Sequence, residues 1–565
     1  MTTTKDVPAG PTARDTTVDL LIIGSGTGMA TALSAHELGL DVLVVEKTEW
    51  VGGSTARSGG AYWIPANTAL LRDGSTDTLD MGRDYLEAVV GDEAPRARWE
   101  AFLDQGTSTI DMLERTTPMT FFWAKGYSDY HPENPGGAAI GRTCEAKPFD
   151  AALLGPERDR LRPAVLEAPI PMPVTGADYK WMNLMARTPG KSWPRILKRA
   201  AEGIGGLALK KEYVAGGQAL AAGLFTGLVR AGVPVWTRTS LVELIEQDGT
   251  VVGARLEQNG RTVTVTARKG VVLAAGGYDH DLPMRQKYQS DTLSDDLSLG
   301  AEGNTGDGIK LGQHVGADLA LMEESWWFPA VEPLTEGEYP QVLLAERSLP
   351  GSVMVDETGT RFINEATDYM SFGQTVLSQR EQGRPLEQMW LIMDKAYRRR
   401  YVFAGVVFPT MPFPKEWYAK GIAVRGSNPQ ALAQAMGVPA EALAATLERF
   451  NREAAAGIDS DFHRGDSAYD RYYGDPTVTP NPNLKPLSGE LFAVKVVLSD
   501  LGTCGGLVAD ERGQVLREDG SAIPGLYAQG NTAGNVFGRR YPGAGATISQ
   551  GLVYGHIIAQ EAARS

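Results

Sequence analysis

The chain opens on a polar stretch, residues 1–17, and turns apolar at Val18-Asp-Leu-Leu-Ile-Ile23, which breaks at the turn Gly24-Ser-Gly-Thr-Gly28. A short apolar run bounded by glycines predicts a buried strand, and the small residues Ala30, Ala32 and Ala35 after it predict a helix. A second apolar run, Val42–Val45, ends at Glu46 and is followed by two Gly-Gly pairs, at 52–53 and 59–60. Residues 240–277 alternate apolar with polar around Asp-Gly and Asn-Gly turns and finish in Val271-Val-Leu-Ala-Ala-Gly-Gly277, which predicts a meander that returns to a parallel sheet. Gly303-Asn-Thr-Gly-Asp-Gly308 opens a further helix. From Trp326 to about Lys495 the text becomes rich in proline, aromatic residues and long helical runs such as residues 429–455, and then Ile523-Pro-Gly-Leu-Tyr-Ala-Gln-Gly-Asn531 restores a strand and glycine turn before a last helix over 545–563. The expected organisation is a disordered lead-in (1–17), a first domain in two parts (18–324 and 496–565) and a second domain (325–495) inserted between them.

The strand, glycine turn and helix at 18–35 aim backbone N–H groups and the positive end of a helix dipole at one point, where a pyrophosphate is stabilised. Gly24 and Gly26 allow the tight turn, and Glu46, 22 residues after Gly24 at the end of the next strand, suits an acceptor for two ribose hydroxyls. Met29 stands where the fingerprint prefers Gly or Ala, so the motif alone is weak. The order of elements around it makes this a dinucleotide site rather than an ordinary buried turn. The small residues of Lys47-Thr-Glu-Trp-Val-Gly-Gly-Ser-Thr-Ala-Arg-Ser-Gly-Gly60 let backbone pass close to a flat ring or a phosphate, as a flavin requires.

A formal net charge of −15 over 565 residues argues against nucleic acid as a partner, because phosphate neutralisation needs a basic face. The two cysteines, Cys144 and Cys504, have no metal-like spacing and fit a reduced, cytoplasmic setting; no metal site is expected. The N-terminus lacks the apolar core of a signal peptide, and the least polar run, residues 214–229, is too short to span a bilayer. One segment reverses the overall charge: residues 180–211 carry Lys180, Arg187, Lys191, Arg195, Lys198, Arg199, Lys210 and Lys211 against Glu202 alone. A helix starting near Trp193 would gather Trp193, Ile196, Leu197, Ala200, Ile204 and Leu207 on one face, although Gly203, Gly205 and Gly206 weaken it. Two readings fit: peripheral contact with an anionic membrane through about 191–209, or a helix docked on the protein's own core.

With these motifs in order, the chain resembles the fumarate reductase/succinate dehydrogenase flavoprotein superfamily over nearly its whole length. The resemblance implies an α/β fold, with a discontinuous Rossmann-like FAD-binding domain and an inserted α+β catalytic or substrate domain. Carried over onto this sequence, it implies FAD contacts at Gly24, Ser25, Gly26, Gly28, Met29, Glu46, Lys47, Gly53, Ser54, Thr55, Ser58, Gly59, Gly60, Ala275, Gly276, Asn304, Asp307, Gly530 and Asn531. Members that hold flavin covalently use a histidine soon after the second strand; residues 47–60 contain none, so the FAD is expected to be non-covalent. Fumarate reductases grip a dicarboxylate with His and Arg clusters, whereas the corresponding loop here reads Asn535-Val-Phe-Gly-Arg-Arg-Tyr-Pro-Gly-Ala-Gly545. That loop, with Ser128-Asp-Tyr130, Phe362-Ile-Asn-Glu-Ala-Thr-Asp-Tyr369 and Phe462-His-Arg-Gly465, resembles the 3-ketosteroid Δ1-dehydrogenases.

This second resemblance implies that the Tyr541 hydroxyl and the Gly545 N–H hold the C3 carbonyl oxygen of a 3-ketosteroid. It further implies that Tyr369 takes the C2 proton, that Tyr130 is its hydrogen-bonding partner, and that flavin N5 accepts the C1 hydride, with a quinone-like acceptor downstream. Glycines that leave N–H groups uncovered at a helix start suit such an oxyanion hole. A phenol of pKa about 10 is roughly one part in a thousand ionised at pH 7, a penalty of about 4 kcal/mol that its surroundings must reduce. His463 is expected to be a structural hydrogen-bonder, and Trp326, Trp327, Phe328, Phe403, Phe408, Phe413 and Trp417 are either walls of an apolar pocket or core. Other readings stay open at this point: a Δ4-dehydrogenase, an enoate- or fumarate-type reductase, or a non-catalytic electron carrier. Oligomeric state is not legible.

Overall fold

The computed structural model describes residues 7, 10–165, 171–293, 296–335 and 337–565. At its centre lies a sheet with strands in the order Gln514–Leu516, Ala522–Ala528, Arg261–Leu273, Thr16–Ile23, Val42–Val45 and Val235–Trp236, parallel except at the 514–516 edge. Both faces are covered, which explains why the first strands read as continuous apolar runs. Leu20 and Ile22 pack with Ala30 and Leu33 of the helix Gly28–Glu37 and with Leu552 of the C-terminal helix Ala546–Arg564, whereas Leu21 and Ile23 face a second core with Leu43, Val265 and Ile309. The expected meander forms from Thr239–Gln247, Thr250–Gln258 and Arg261–Leu273, and its last strand also pairs in parallel with Thr16–Ile23.

Between the two parts of this unit sits an all-antiparallel sheet, in the order Gln341–Val342, Ser325–Val331, Leu491–Thr503, Met389–Asp394 and Ser352–Asp356, with Ala423–Gly426 also paired to Leu491–Thr503. The strand Leu491–Thr503 runs across the position, 495, at which the sequence placed a boundary. A third, small sheet pairs Thr143–Ala146 with Ala61–Trp63 and Phe121–Trp123, and the chain between 124 and 142 hangs from it as a loop that is buried over 127–130 and exposed at 133–135 and 139–140.

Several local expectations need correction. The helical run at 429–455 is two helices, Pro429–Met436 and Ala440–Ala456, because Gly437 ends the first in the left-handed conformation (φ 74°) and Pro439 cannot continue it. The lead-in is docked from residue 10: Ala13 is buried and its N–H donates to Gln258 Oε1 at 2.7 Å, and the first strand starts at Thr16; residues 1–6 and 8–9 lie outside the described part. The basic helix spans Pro189–Ala208, starting earlier than expected with a proline in its first turn, and it runs through its glycines. Gly203 and Gly206 are where it rests on the body. A Cβ at 203 would lie 2.0 Å from the Pro171 carbonyl oxygen, and one at 206 would lie 2.7 Å from the Tyr213 ring. Among the described residues no helix is long and apolar enough to cross a membrane.

Candidate active site

The turn after the first strand and the turn after the second meet face to face. A Cβ on Gly53 would lie 3.7 Å from the Gly26 Cα, and one on Gly26 would lie 3.2 Å from Thr55 Oγ1. Neither the helix Gly28–Glu37 nor the short helix Gly53–Arg57 carries a side-chain cap; the Met29 and Ala30 N–H groups turn back to the Gly26 and Thr27 carbonyls, and among the described residues those of Gly28, Gly53, Ser54 and Thr55 keep their hydrogen-bonding capacity for an anion. The third and fourth segments close on the same place. Ser54 Oγ accepts from Asn304 Nδ2 and from the Ala301 N–H, both at 2.9 Å, and Thr532 Oγ1 donates to the Gly276 carbonyl at 2.9 Å. Lys47 Nζ bridges to Thr305 Oγ1 and Asp307 Oδ2, each at 2.7 Å. Glu46 Oε2 accepts from the N–H (3.2 Å) and hydroxyl (2.6 Å) of Ser25, and Oε1 from the N–H (3.0 Å) and hydroxyl (2.9 Å) of Thr48. Its acceptor positions are thus filled, and a ribose diol would replace the two hydroxyls, which turn on single bonds. A glycine-lined cleft with two uncapped helix starts and a carboxylate beyond them fits a dinucleotide such as FAD.

Two of the sequence-assigned residues turn away from this cleft. The Met29 side chain is wholly buried in the core beneath the sheet, leaving only its backbone to the cofactor side. The bare α-carbon of Gly60 faces the helix Gly216–Ala231, where a Cβ would come within 2.1 Å of the Gly216 carbonyl carbon, so this glycine answers to packing.

The three tyrosines, which are far apart in sequence, come together where the domains meet. Tyr369 is the first residue of the helix Tyr369–Glu381, which is capped by Asp368 accepting from the Ser371 N–H at 3.0 Å. Tyr130 sits in the buried stretch, 127–130, of the loop that hangs from the small sheet, and donates its hydroxyl hydrogen to Tyr369 Oη. The rings of Tyr369 and Tyr130 lie 5.4 Å apart, and Tyr541 lies 5.0 Å from Tyr130 and 5.8 Å from Tyr369. The loop carrying Tyr541 is pinned by Tyr130 N–H (3.1 Å) and Tyr85 Oη (2.7 Å) donating to the Pro542 carbonyl. Gly545 precedes the helix Ala546–Arg564 at φ 99°, and any Cβ there would lie 2.5 Å from the Ala61 carbonyl. Only glycine fits there, and Thr547 Oγ1 donates to the Tyr541 hydroxyl at 3.3 Å.

Burial raises the pKa of all three phenols. At Tyr369 the rise is opposed by hydrogen bonds with Tyr127 and Tyr130 and by the Arg347 charge, so among the three its phenolate has the most local support. Tyr127 and Tyr473 are the members that sequence reasoning missed. Tyr127 Oη lies 3.4 Å from Tyr369 Oη and accepts from Tyr473 Oη at 2.8 Å, which extends the hydroxyl cluster. The available signal was Tyr127 standing three residues before Tyr130, one loop turn away.

Of the aromatic candidates, Trp326 (4.7 Å from the Tyr541 ring) and Phe328 (4.6 Å from Tyr369) line the cluster, and Trp326 Nε1 donates to Asn531 Oδ1 at 3.1 Å, joining the tyrosines to the dinucleotide side. Trp327, Phe403, Phe413 and Trp417 belong to the core of the antiparallel sheet, and Phe408 is on the surface. His463 is exposed and its ring bonds Asp466 at 3.2 Å; the buried partner in that motif is Arg464, which donates to the carbonyls of Ser352 and Leu349.

An interrupted Rossmann-like unit with an inserted antiparallel domain, a dinucleotide cleft and a phenol cluster at the junction defines a flavin-binding redox protein. The FAD binding domain family model matches residues 19–548. The chain is 43% identical over 556 residues to the 3-oxosteroid 1-dehydrogenase of Mycolicibacterium smegmatis, covering 96% of this chain and 97% of that one. It is 34% identical to the 4-oxocyclohexanecarboxylate 2-dehydrogenase of Sinomonas cyclohexanicum, covering 97% and 94%. The crystal structure of the 3-ketosteroid Δ1-dehydrogenase of Sterolibacterium denitrificans with 1,4-androstadiene-3,17-dione superposes with a TM-score of 0.90 at 34% identity, over 97% of this chain and 99% of that one. The chain belongs to the FAD-binding flavoprotein superfamily of fumarate reductase and succinate dehydrogenase, and within it to the 3-ketosteroid Δ1-dehydrogenases.

Proposed function

We propose that this protein is an FAD-dependent 3-ketosteroid Δ1-dehydrogenase that converts 3-keto-4-ene steroids to 1,4-dienes. The observation that carries the reading is the convergence of Tyr130, Tyr369 and Tyr541 beside the start of the helix Ala546–Arg564, where Gly545 is the only residue that fits. An electron carrier needs no such arrangement.

The Tyr541 hydroxyl and the Gly545 N–H hold the C3 carbonyl oxygen, which makes the C2 proton acidic. Tyr369 removes that proton as a phenolate, and the hydroxyls of Tyr130 and Tyr127 stabilise its charge while the Arg347 guanidinium does so from further off. Bound FAD supplies the acceptor for the C1 hydride, so that loss of H⁻ from C1 and H⁺ from C2 leaves the C1=C2 double bond. Trp326 and Phe328 give the flat ring system apolar walls. The N–H groups at the starts of the helices Gly28–Glu37 and Gly53–Arg57, with Glu46, would hold the cofactor without a covalent bond. The terminal electron acceptor in this reading would be a quinone-like compound.

The test is anaerobic addition of 4-androstene-3,17-dione to the purified holoenzyme. Bleaching of the flavin spectrum and formation of the 1,4-diene are expected. An unchanged spectrum, a new double bond elsewhere in the steroid, or turnover of 4-oxocyclohexanecarboxylate with no steroid turnover would each overturn the reading. Acid precipitation should leave the flavin in the supernatant; flavin retained on the precipitated chain would refute non-covalent binding.

A further inference from the structure

Four hydroxyl groups beside the base form a chain with three contacts and four hydrogens. Tyr130 donates to Tyr369 Oη, Tyr473 donates to Tyr127 Oη at 2.8 Å, and Tyr127 Oη stands 3.4 Å from Tyr369 Oη. Each neutral phenol brings one hydrogen and two lone pairs. Among the described residues none of the four hydroxyls donates to a group outside the set. All four residues are buried, so a hydrogen without an acceptor is costly there. With every phenol neutral, three contacts pair three hydrogens and leave one over. With Tyr369 ionised only three hydrogens remain, and each has a place: those of Tyr130 and Tyr127 on Tyr369, and that of Tyr473 on Tyr127. The chain is fully satisfied only when the base carries its charge.

The 3.4 Å separation is long for two neutral hydroxyls, whereas a hydroxyl donating to an anion closes to about 2.5–2.7 Å. The Tyr127 bond is therefore stronger to the phenolate than to the phenol, and so favours ionisation. Tyr473 gives that bond its direction. With the Tyr473 hydrogen on its oxygen, Tyr127 is polarised as a donor, and its own hydrogen has Tyr369 as the remaining acceptor.

Tyr473 is placed by an element that also reaches the base. It follows the short helix Ala468–Tyr472, whose Asp470 Oδ2 accepts from the Gly465 N–H at 2.8 Å and from Asn364 Nδ2 at 3.0 Å; Asn364 belongs to the segment that leads into Tyr369. Tyr472, the last residue of that helix, stacks on the Tyr127 ring at 4.5 Å and 8°, which fixes the plane of the Tyr127 hydroxyl. The other charges acting on Tyr369 are Arg347, which favours its anion, and Asp368, which opposes it. Tyr541, Tyr469 and Tyr472 are the further phenols close enough to feel that anion. Removing the Tyr473 hydroxyl leaves all of these in place.

We propose that Tyr473 is a positioning residue for the reaction: by donating to Tyr127 it turns the Tyr127 hydrogen onto Tyr369, so that the phenolate meets two donors while it removes the C2 proton. The proposal rests on the assignment of Tyr369 as the base.

The test uses three variants that keep every ring, Tyr473→Phe, Tyr127→Phe and the double variant, as flavin-loaded holoenzyme with flavin content as the folding control. The rate of anaerobic flavin bleaching by saturating 4-androstene-3,17-dione is followed against pH. In parallel, the tyrosine ionisations of the steroid-free protein are titrated by ultraviolet difference spectra, with Tyr369→Phe as the reference. Loss of a donor to a charged group should move the rising limb of the profile, and the Tyr369 ionisation with it, up by about one pH unit in Tyr127→Phe. Tyr473→Phe removes only the polarisation of that donor and should give about half a unit, or roughly a threefold loss of rate at pH 7 with KM little changed. Because Tyr473 acts through Tyr127, the double variant should match Tyr127→Phe alone. A Tyr473→Phe profile that superposes on the parent, a loss of rate without a shift, or shifts that add in the double variant would each overturn the proposal. Should the steroid leave the flavin unbleached, the reading of the reaction fails, and the ultraviolet titration still decides this proposal: a Tyr369 ionisation unmoved in Tyr473→Phe would overturn it.

Discussion

At the scale of single residues, the chemistry divides between a donor and a base that share an apolar setting. Tyr541 is held as a neutral phenol: burial raises its pKa, and Gly545 and Thr547 only partly oppose that. A neutral phenol is what a carbonyl oxygen needs as a donor. Tyr541→Phe should lower the maximal rate about a hundredfold, the scale of losing one preorganised donor, with FAD still bound. Tyr369→Phe should fall further, since it removes the base, and steady-state kinetics on flavin-loaded samples would reveal full activity in either variant and so refute its role. Because the proposed role of Tyr369 needs its anion and burial raises its pKa, the rate should climb from pH 7 toward about 9. A maximum below pH 6 in the pH–rate profile would transfer the base role to a carboxylate or a histidine.

At the scale of elements, Tyr369 is aimed by the segment before its helix. Arg361 donates from Nε and Nη2 to Glu365 at 2.8 and 2.6 Å and from Nη1 and Nη2 to Asp459, both at 2.7 Å, and Arg464 Nη1 reaches Glu365 at 3.1 Å. Arg347 Nη1 donates at 2.6 Å to the carbonyls of Glu365 and Thr367, fixing the backbone that enters the helix. All of these groups are buried. Although burial acts to raise the Glu365 carboxyl, Arg361 and Arg464 hold it below the usual range. Replacing it by the neutral Glu365→Gln leaves two buried guanidinium groups short of a counter-charge, which should cost about 3 kcal/mol in a urea denaturation series. Because the loop loosens, kcat should fall with little change in KM. A stability within about 0.5 kcal/mol of the parent would show that Asp459 alone suffices.

At the scale of the whole molecule, a cluster of ionisable groups beside the dinucleotide cleft responds to pH, and in it Asp279 faces Asp500 of the strand Leu491–Thr503. His280 bonds Asp296 (2.7 Å) and the Gly300 carbonyl (3.2 Å); burial acts to lower its pKa, but the Asp296 hydrogen bond and the Asp279 and Asp296 charges raise it to about 9. A folded pKa above the unfolded 6.5 gives stabilisation that is complete below about pH 6.5 and is lost as pH rises through 9. Burial and the neighbouring Asp500 push Asp279 up to about 6, which acts in the same direction at lower pH. Thermal unfolding followed by flavin fluorescence should therefore show a falling midpoint from pH 6.5 to 9, while the rate rises over the same span. His280→Gln should flatten that slope, and a slope unchanged in the variant would place its origin elsewhere.

What the sequence determined by itself was held by neighbours along the chain. The strand, turn and helix at 16–37, the acidic end of the second strand, the meander and the return of the first domain after the insertion rest on apolar periodicity and glycine punctuation, which a linear text records directly. The tyrosine site was legible only through its resemblance to a known family. Nothing local distinguishes Tyr369 from a core tyrosine, because its partners Tyr130, Tyr127 and Tyr473 come from segments more than a hundred residues away. The tertiary structure alone decided which aromatic residues reach the site and which fill the core, since both demand the same composition. It also decided the sense of the basic helix. Amphipathicity marks an apolar stripe, but only the docking of Gly203 and Gly206 against Pro171 and Tyr213 turns that stripe away from the protein.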